Sequence, residues 1–532
     1  MMNISKAYCF DAVTRRAIFG HEDATQEDAD RLFQCYIKKK DYETVSSDLP
    51  FCIVVGKKGT GKSATLKYSF YCDSKQEQER FPIAIWVRAT DITEMYQEIN
   101  SQTELDTAIL LWKKAIAKYL ACRLAESVLY SSSSDGDTIL NWAYETGYKS
   151  RDFISQIANN FQVKLKSPIG ELSHSNNIPN PKNFGEHHIL GRILKSGVCL
   201  YIDDVDRGWK SNPEWATKIK ALIAALGDMT SDLAKFKARI SLRTVVYDYI
   251  CQDTEFMDKY QTSIVRCKWE NAEILKVLIS RIVTFFEYEL PPSFFDLSQK
   301  EMSEQIFPPI LCTEFKDTRV WNNRKTYRIL MSLVRGIPRD MVKLLNAAAQ
   351  RADESNRKTI LPQDICSVID EYSIDRLEEI AREFCSELPC IKDLLLQMGP
   401  TKKEKKEKKE KRYLFKTSDL LKKISEAMDR IGKASVHFSE KPVCTPLEIA
   451  NFLYKIGFIT ARKDFPNQIF RTNYEKTPHL LTRSTGDKGY SWEIHPAYRA
   501  ALYTYDPDDI CWESTVTISD EDEDYQSEKT FT

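Results

Sequence analysis

Apolar residues in the first half of the chain occur in short runs that alternate with longer segments of helical spacing. Glu104–Tyr130 and Glu214–Leu226 carry apolar residues at helical intervals, which predicts helices. Strands that alternate with helices predict a parallel sheet with helices on both faces. Short apolar runs bounded by polar segments predict the buried strands themselves, and five are present: Phe51–Val55, Pro82–Val87, Gly197–Asp203, Ala238–Arg243 and Ser263–Trp269.

The pattern changes near residue 270, where helical spacing takes over. Glu270–Phe286, Lys325–Val334 and Pro338–Arg351 predict helices, so we expect residues 270–400 to form an α-helical lid. Residues 401–412 contain eight basic and three acidic residues, which predicts either a solvated helix or a charged linker. The expected order is a lead-in at 1–50, a core at 51–269 with an insertion at 100–190, the lid, the linker, a small domain at 413–506 and an acidic tail at 507–532.

The small domain at 413–506 combines helices with short strands. Thr445 followed by Pro446 is typical of a capped helix start, and Gly457 ends that helix. Phe470–Asn473 and Ser491–Ile494 are strand-like pieces with a turn between them. Helix, helix and β-hairpin in this order predict a winged helix, which binds DNA or protein.

Basic residues in this domain, with the run at 402–412, make phosphate contact plausible. A protein-docking module with ordinary surface lysines explains them as well, because the net charge of the chain is −1. Binding of DNA or another nucleic acid through residues 402–506 therefore stays open. We expect His495 to be a packed or capping histidine. The basic residues are Lys455, Arg462, Lys463, Arg471, Arg483 and Lys488.

A phosphate-binding loop follows the first predicted strand. Residues 56–63 (GKKGTGKS) match G-x-x-x-x-G-K-[ST] at every fixed position, and a helical run follows them. The backbone N–H groups of such a loop surround the phosphates of a nucleotide. Lys62 is expected to reach the β- and γ-phosphates, and the Ser63 hydroxyl to ligate Mg²⁺. The expected ATP-binding set is Gly56, Lys57, Lys58, Gly59, Thr60, Gly61, Lys62, Ser63 and Ala64.

A second nucleotide-site motif lies at residues 198–204 (VCLYIDD). Its hydrophobic run predicts a strand, and the acids that follow the strand would lie at the edge where open α/β sheets bind ligands. We expect Asp203 to hold Mg²⁺ through water. Asp204 takes the place usually given to a glutamate that polarises the attacking water, so hydrolysis is expected to be slow or partner-dependent. The alternative is that Asp204 only caps a helix.

The motif continues into a family resemblance. Residues 203–209 (DDVDRGW) resemble the DD-x-DR-G-W signature of bacterial P-loop ATPases related to signal-transducing NTPases and to AAA+ proteins of the origin-recognition type. The phosphate-loop flank at 55–59 and the ending at 492–499 (WEIHPAYR) are similar too. The resemblance covers roughly residues 18–350. It implies an α/β P-loop NTPase of the ASCE/AAA+-like class, with an α-helical lid and a C-terminal winged helix. Members are often found in anti-phage defence loci.

The resemblance also suggests three arginines for the ATP site. Residues 239–244 (RISLRT) occupy the place of a sensor-1 strand, where Ser241 or Arg243 would touch the γ-phosphate. Gly336-Ile337-Pro338-Arg339 resembles a sensor-2 helix start, and Arg339 would couple the nucleotide to the lid. Arg207 is either an arginine finger across a subunit boundary or a local ion pair with Asp204 or Asp206. Arg243 and Arg339 are equally open to ordinary surface roles.

Composition adds little to this interpretation. Hydrophobic residues make up 42% and charged residues 29% of the 532 residues, which is ordinary for a globular protein. The 14 cysteines include no C-x-x-C pair, which favours buried free thiols in a reducing cytoplasm. No apolar run approaches the length of a membrane span, and the first residues lack the apolar core of a signal peptide.

These observations favour a regulatory ATPase. It would bind and hydrolyse ATP with Mg²⁺, switch its conformation or assembly, and control a separate effector protein in anti-phage defence. The expected partners are further copies of the chain in a homo-oligomer. One alternative is a DNA-binding AAA+ ATPase that loads or remodels proteins on DNA. Another is an ATP-binding scaffold with negligible turnover.

Overall fold

The computed structural model describes most of the chain and divides it into two compact units. The sheet unit comprises residues 39–56 and 62–267, and the helical unit comprises residues 1–38, 57–61 and 268–532. The described residues are 8–23, 26–75, 83–87, 99–100, 102–126, 197–233, 235–316, 321–401, 412–439, 443–465, 469–481 and 489–503.

The helices and strands follow one another in this order. The first half has α1 Ala12–Phe19, α2 Ala29–Cys35, α3 Lys40–Glu43, β1 Phe51–Gly56, α4 Lys62–Lys75, β2 Ile83–Val87, α5 Leu105–Glu126, β3 Val198–Ile202, α6 Pro213–Asp232, β4 Phe236–Arg243, α7 Thr244–Ile250, α8 Thr254–Asp258 and β5 Ile264–Arg266. The second half has α9 Asn271–Phe285, α10 Gln299–Ile306, α11 Thr326–Leu333, α12 Pro338–Glu354, α13 Pro362–Phe384, α14 Ile391–Gln397, β6 Leu414–Phe415, α15 Thr417–Ile431, α16 Pro446–Ile456, β7 Ile459–Asp464, β8 Ile469–Thr472, β9 Ser491–Ile494 and α17 Arg499–Leu502.

The sheet unit is built on a five-stranded parallel sheet with the order β2-β3-β4-β1-β5. Every residue of β1 and of β3 is buried, as expected for parallel strands covered on both faces. β4 lies between β1 and β3, as in the ASCE class. Because β1, β3 and β4 are parallel, their last residues lie at the same edge of the sheet. These residues are Gly56, Ile202 and Arg243.

Helices α5 and α6 pack together in the core of this unit. Trp112 of α5 is 1% exposed, and its Nε1 donates a hydrogen bond to the backbone oxygen of Lys218 in α6 at 3.0 Å. Ile219, Leu222 and Leu226 of α6 are fully buried. Burial of each such side chain stabilises the unit by about 1.5–3 kcal/mol relative to exposure.

The helical unit has its own core, formed mainly by α9 to α13. Leu278, Leu330, Leu345 and Ile369 come from four different helices of this core, and each is at most 3% exposed. α12 begins with Pro338 in its first turn, where a proline costs no helical hydrogen bond. The predicted lid is therefore helical, as its periodicity indicated.

The last described part of the chain is an α+β module, residues 412–503, which we call the C-terminal module. It contains α15, α16 and a four-stranded antiparallel sheet with the order β6-β9-β7-β8. α16 starts with a capping box between Thr445 and Glu448 and ends at Gly457, whose φ of 82° is left-handed. The predicted start and end of this helix are confirmed.

The structure confirms the predicted α/β class and corrects several boundaries. β5 is shorter than predicted and covers only Ile264–Arg266. Helices α1 and α13 were not predicted. Cys52, Cys199 and Cys267 are buried, and the described cysteines are free thiols.

Some predicted segments lie outside the described residues. They are the insertion at 100–190 beyond residue 126, the charged run at 402–411, the acidic tail at 507–532, and two of the basic residues, Arg483 and Lys488. Among the helices that are described, none has the length and apolar character needed to cross a membrane.

Candidate nucleotide-binding site

The phosphate loop has the backbone that its sequence predicts. It connects β1 to α4, and its glycines Gly59 and Gly61 have φ values of 83° and 86°. A side chain is unfavourable in this left-handed region, which explains glycine at both positions. A turn between Lys57 and Thr60 is closed by the Thr60 hydroxyl, which donates to the Lys57 oxygen at 2.7 Å.

Lys62 begins α4 at the carboxyl edge of the sheet. Its side chain is 9% exposed, and Nζ donates to the backbone oxygen of Gly56 at 3.0 Å. The side chain therefore folds back over the start of the loop. In this position the ammonium group lies beside the N-terminus of a 14-residue helix, where anions are favoured.

Asp203 follows β3 directly and is 5% exposed. Its Oδ1 accepts a hydrogen bond from the Ser241 hydroxyl of β4 at 2.5 Å. Its Oδ2 is buried and has no hydrogen-bond partner among the described residues. An unpartnered carboxylate oxygen costs free energy unless a cation or water satisfies it. The residue therefore fits a Mg²⁺ ion, for which carboxylate oxygen is a preferred ligand.

Asp204 is held differently from its neighbour. It is exposed, and its φ of 53° is left-handed, which is uncommon for a residue with a side chain. Its backbone N–H donates to the Ser241 hydroxyl at 3.0 Å. Ser241 thus orients both acids, donating to Asp203 and accepting from Asp204. Strain of this kind clusters at functional sites, which supports a role beyond helix capping.

The arginines after β3 and β4 do not pair as the sequence suggested. Asp206 is 3% exposed and bonds to Arg243, whose Nε lies 3.0 Å from Oδ2. The Arg243 backbone N–H also donates to that oxygen at 2.7 Å. Asp206 therefore pairs with Arg243 and not with Arg207, which removes one of the ion pairs that the sequence left open, and Arg207 is exposed. Arg243 thus holds Asp206 through both its side chain and its backbone N–H.

Arg339 lies in the helical unit, at the start of α12. Its Nε donates to the backbone oxygen of Glu22 at 2.7 Å. The loop residue Gly59 packs closely here, because a Cβ added to it would lie 2.8 Å from the Ile337 side chain and 3.0 Å from that of Arg339. Within the helical unit, the tip of the phosphate loop therefore abuts the predicted sensor-2 motif.

Acidic residues that sequence reasoning missed contact the two variable lysines of the loop. Lys57 Nζ lies 3.2 Å from Oε1 of Glu475 in the C-terminal module. Lys58 Nζ lies 3.9 Å from Oε1 of Glu379 in α13. These partners are more than 300 residues away in sequence, so no local pattern could identify them.

Glu379 belongs to a buried ionic cluster around Asp340. Asp340 is fully buried and accepts from Arg335 at 2.7 Å and from Arg376 at 2.8 Å. Arg335 also donates to the Tyr498 hydroxyl at 3.0 Å. Burial acts to raise the pKa of Asp340, but the two guanidinium groups outweigh it and hold the pKa at about 2.

A second buried cluster reduces the basic surface expected of the C-terminal module. Glu493 is 1% exposed and pairs with Arg499 at 2.6 Å, with Arg471 at 2.8 Å and with Arg462 at 3.3 Å. Arg462 and Arg471 are thus already paired with a buried acid, which makes them less available for the phosphate contact that the sequence left open. His495 Nδ1 accepts from the Ala497 N–H at 3.2 Å, and burial lowers the pKa of His495 to about 3. The predicted capping histidine is confirmed.

A family model described as the FunZ-associated C-terminal helical domain matches residues 273–381, which hold most of the helical lid. The chain is also 22% identical over 513 residues to the putative transposon gamma-delta 80.3 kDa protein of Escherichia coli (strain K12). That match covers 90% of this chain and 66% of the relative, just under two thirds of its length.

Solved structures with distant similarity include two archaeal proteins from Aeropyrum pernix. The ORC2 protein in ADPNP–ADP complexes is 11% identical, with a TM-score of 0.38 and coverage of 88% of this chain and 94% of that one. The ORC1 protein in complex with DNA is 12% identical, with a TM-score of 0.32 and coverage of 89% and 96%. At these TM-scores the fold assignment rests on the strand order of the sheet itself.

Proposed function

We propose that the chain is an ATPase that binds ATP with Mg²⁺ at the phosphate loop and uses the nucleotide to switch the conformation of its lid. The unpartnered Oδ2 of Asp203 carries the proposal. A buried acid with an open ligand position follows the strand that ASCE folds use for Mg²⁺, in a chain that has a complete phosphate-loop motif. Lys62 and the loop backbone would bind the phosphates, and Ser63 and Asp203 would hold the metal.

Asp204 is the proposed base for hydrolysis. Its carboxylate would orient the attacking water, and the bond from its N–H to Ser241 fixes the backbone that carries it. Mg²⁺, when bound, would neutralise charge on the transferred phosphate. An aspartate is one methylene shorter than the usual glutamate, so the proposed turnover is slow.

Turnover measured on the full chain tests this proposal. Asp204→Asn should slow ATP hydrolysis by about 10²–10⁴-fold, because a positioned base contributes on that order. ATP binding should be retained. Asp232→Asn, at an exposed aspartate at the end of α6, is the matched control and should hydrolyse ATP at the parent rate. Equal turnover in the parent and Asp204→Asn would reject Asp204 as the base.

We infer that the lid couples the nucleotide to the rest of the chain. Arg339 packs on Gly59 of the loop, and Glu475 of the C-terminal module pairs with Lys57. Nucleotide that reshapes the loop would disturb both contacts. The proposed output is control of a separate effector, and the resemblance to defence ATPases suggests an anti-phage role. The name of the E. coli relative gives only its transposon and its mass, so it suggests no activity for this chain.

A homo-oligomer is part of the proposal. Arg207 is exposed and Asp206 pairs with Arg243 instead, which leaves Arg207 suited to reach a neighbouring subunit. An arginine finger supplied in trans accelerates a GTPase by about 10³–10⁵-fold. Light scattering with and without a slowly hydrolysed ATP analogue should detect assembly. A monomer in both conditions, with turnover independent of protein concentration, would remove the trans-arginine role.

The alternative of a DNA-remodelling ATPase rests on the predicted winged helix. Two of its six basic residues, Arg462 and Arg471, are committed to Glu493, which weakens a DNA surface on this module. Turnover that rises strongly on addition of double-stranded DNA would favour this alternative. Tight ATP binding without any turnover would instead favour a scaffold.

A further inference from the structure

The turn that follows β3 is attached to β4 at two points. β3 and β4 pair in parallel, with Ile202 beside Ile240, so the next residues of both segments lie close together. Ser241 and Arg243 are two positions apart in β4, and alternate residues of a strand point to the same face. Both side chains contact residues 203–206, which include the metal ligand and the base proposed above.

Ser241 is the first point of attachment. It is 1% exposed, and its hydroxyl donates to Oδ1 of Asp203. The same hydroxyl oxygen accepts from the backbone N–H of Asp204 at 3.0 Å. A serine hydroxyl has a single proton, and here that proton is given to Asp203. In this arrangement Ser241 has no second proton to donate to a γ-phosphate, so it contacts the two acids instead.

Arg243 provides the second point of attachment, through Asp206. Asp206 is 3% exposed, and its Oδ2 lies 3.0 Å from Arg243 Nε. Arg243 Nη2 also donates to the backbone oxygen of Asp206 at 2.8 Å. The planar guanidinium offers several donors in a fixed geometry, which suits such paired bonds. One side chain therefore holds both the carboxylate and the main chain of Asp206.

The position of Asp206 sets the position of Asp204. Both lie in one turn, which the Arg207 N–H closes by donating to the Asp204 oxygen at 3.0 Å. The Asp206 oxygen accepts from the N–H of Trp209 at 3.0 Å, and Trp209 is 9% exposed. Asp204 has a left-handed φ of 53°, which a residue with a side chain keeps only when its surroundings impose it. Release of Asp206 would let this strained backbone relax.

We propose that Arg243 is a positioning residue, which acts through Asp206 to hold Asp204 in the conformation from which its carboxylate can orient water. This role depends on the proposed function of Asp204 as the base. It differs from a sensor role, in which Arg243 would contact the γ-phosphate directly. Loss of a positioning residue slows hydrolysis, whereas loss of a γ-phosphate contact also weakens ATP binding relative to ADP binding.

Turnover of the full chain tests this role in the parent, Arg243→Ala, Asp204→Asn and the variant that combines both changes. Arg243→Ala should lower kcat by about 10–100-fold, because a displacement of about 1 Å can cost about 10²-fold in rate. KM for ATP and the ratio of ATP to ADP affinity should stay at the parent values. In the Asp204→Asn background the same change should lower kcat by less than about twofold, since residues that act as a unit are not additive.

Two further variants make this test specific. Lys220→Ala is the matched control, because it removes the basic partner of Asp253 in the same unit, 2.8 Å away. It should hydrolyse ATP at the parent rate. Asp206→Asn combined with Arg243→Ala guards against loss of the fold, since it removes the buried carboxylate charge together with its partner. This variant should keep the circular dichroism spectrum of the parent and show a similar fall in kcat.

Parent-level kcat in Arg243→Ala would overturn the positioning role and leave Asp204 as the base. An equal fractional loss in the parent and Asp204→Asn backgrounds would also overturn it, because Arg243 would then act independently of Asp204. A selective loss of ATP affinity relative to ADP affinity would overturn it in favour of a γ-phosphate sensor. Parent-level turnover in Asp204→Asn would instead reject the base itself, and the positioning role with it.

Discussion

Two buried aspartates show how differently the sheet unit and the helical unit use a carboxylate. Asp203 is 5% exposed, with one oxygen bonded to Ser241 and the other unpartnered among the described residues. Asp340 is fully buried, and its oxygens accept from Arg335 and Arg376. The described residues thus leave one oxygen of Asp203 without a hydrogen-bond partner, whereas arginines donate to both oxygens of Asp340.

The difference separates a ligand position from a structural one. A carboxylate that two arginines satisfy stabilises the fold only as long as both partners remain. A carboxylate with an open oxygen costs stability until something binds there. We therefore expect Asp340 to matter to the free energy of unfolding and Asp203 to matter to Mg²⁺. The predictions below follow the size of the expected effect on stability.

Asp340→Asn should have the largest effect. It removes the charge that pairs with two buried arginines and leaves them uncompensated, which typically costs about 3–5 kcal/mol. Urea unfolding followed by circular dichroism measures this loss. Asp370→Asn, at an exposed aspartate on α13 of the same unit, should lie within about 0.5 kcal/mol of the parent. A loss below about 1 kcal/mol for Asp340→Asn would contradict the structural role assigned to Asp340.

The pH dependence of stability should carry the signature of the same residue. Its folded pKa of about 2 lies below the unfolded value of about 3.9, so its contribution is present above about pH 4 and is lost as the pH falls towards 2. The stability gap between the parent and Asp340→Asn should therefore shrink by about 2–3 kcal/mol between pH 5 and pH 2. A gap that is independent of pH would contradict the assigned ion pairs.

Glu475→Gln should have a smaller effect. The Glu475–Lys57 pair is partly exposed, with side-chain exposures of 24% and 21%, and such pairs contribute about 0.2–1 kcal/mol. The same change should alter ATP affinity, because Lys57 belongs to the phosphate loop. Glu304→Gln, which removes the partner of Lys325, is the control and should leave ATP affinity unchanged. Equal ATP affinity in Glu475→Gln and Glu304→Gln would show that the C-terminal module does not influence nucleotide binding through Lys57.

Asp203→Asn should have the smallest effect on stability, within about 0.5 kcal/mol, because Asn can still accept from Ser241. Its effect on the metal should be large, since the amide replaces a charged ligand. Titration of Mg²⁺ into a fixed amount of ATP and protein measures it. The parent should bind ATP more tightly as Mg²⁺ rises, and Asp203→Asn should not. A parallel Mg²⁺ response in both would reject Asp203 as a metal ligand.

Much of the sheet unit could be predicted from sequence because its signals are local. Apolar runs marked the five strands, and the phosphate-loop glycines needed the left-handed backbone that Gly59 and Gly61 adopt. Asp203 follows its strand directly, so its place at the sheet edge follows from the topology. Its open oxygen could not be predicted, since that depends on Ser241 in a different strand.

The helical unit was less predictable because its important contacts are long-range. Helical periodicity indicated the lid but not that Arg376 meets Arg335 and Asp340, since Arg376 lies 36 residues beyond Asp340 in the chain. The basic surface of the C-terminal module was overestimated for the same reason, because Arg462 and Arg471 find Glu493 only after folding. Charge in a sequence does not indicate whether the charge is already neutralised.

ATP binding to Lys62→Ala tests the central claim most directly. Equilibrium dialysis with labelled ATP and Mg²⁺ compares the parent, Lys62→Ala and Lys67→Ala, whose substituted lysine lies on the same helix beyond the phosphate loop. We predict that Lys62→Ala loses tight ATP binding and that Lys67→Ala retains it, because Lys62, unlike Lys67, is placed to contact the phosphates. Parent-level ATP affinity in Lys62→Ala would contradict the assignment of a nucleotide site to this loop.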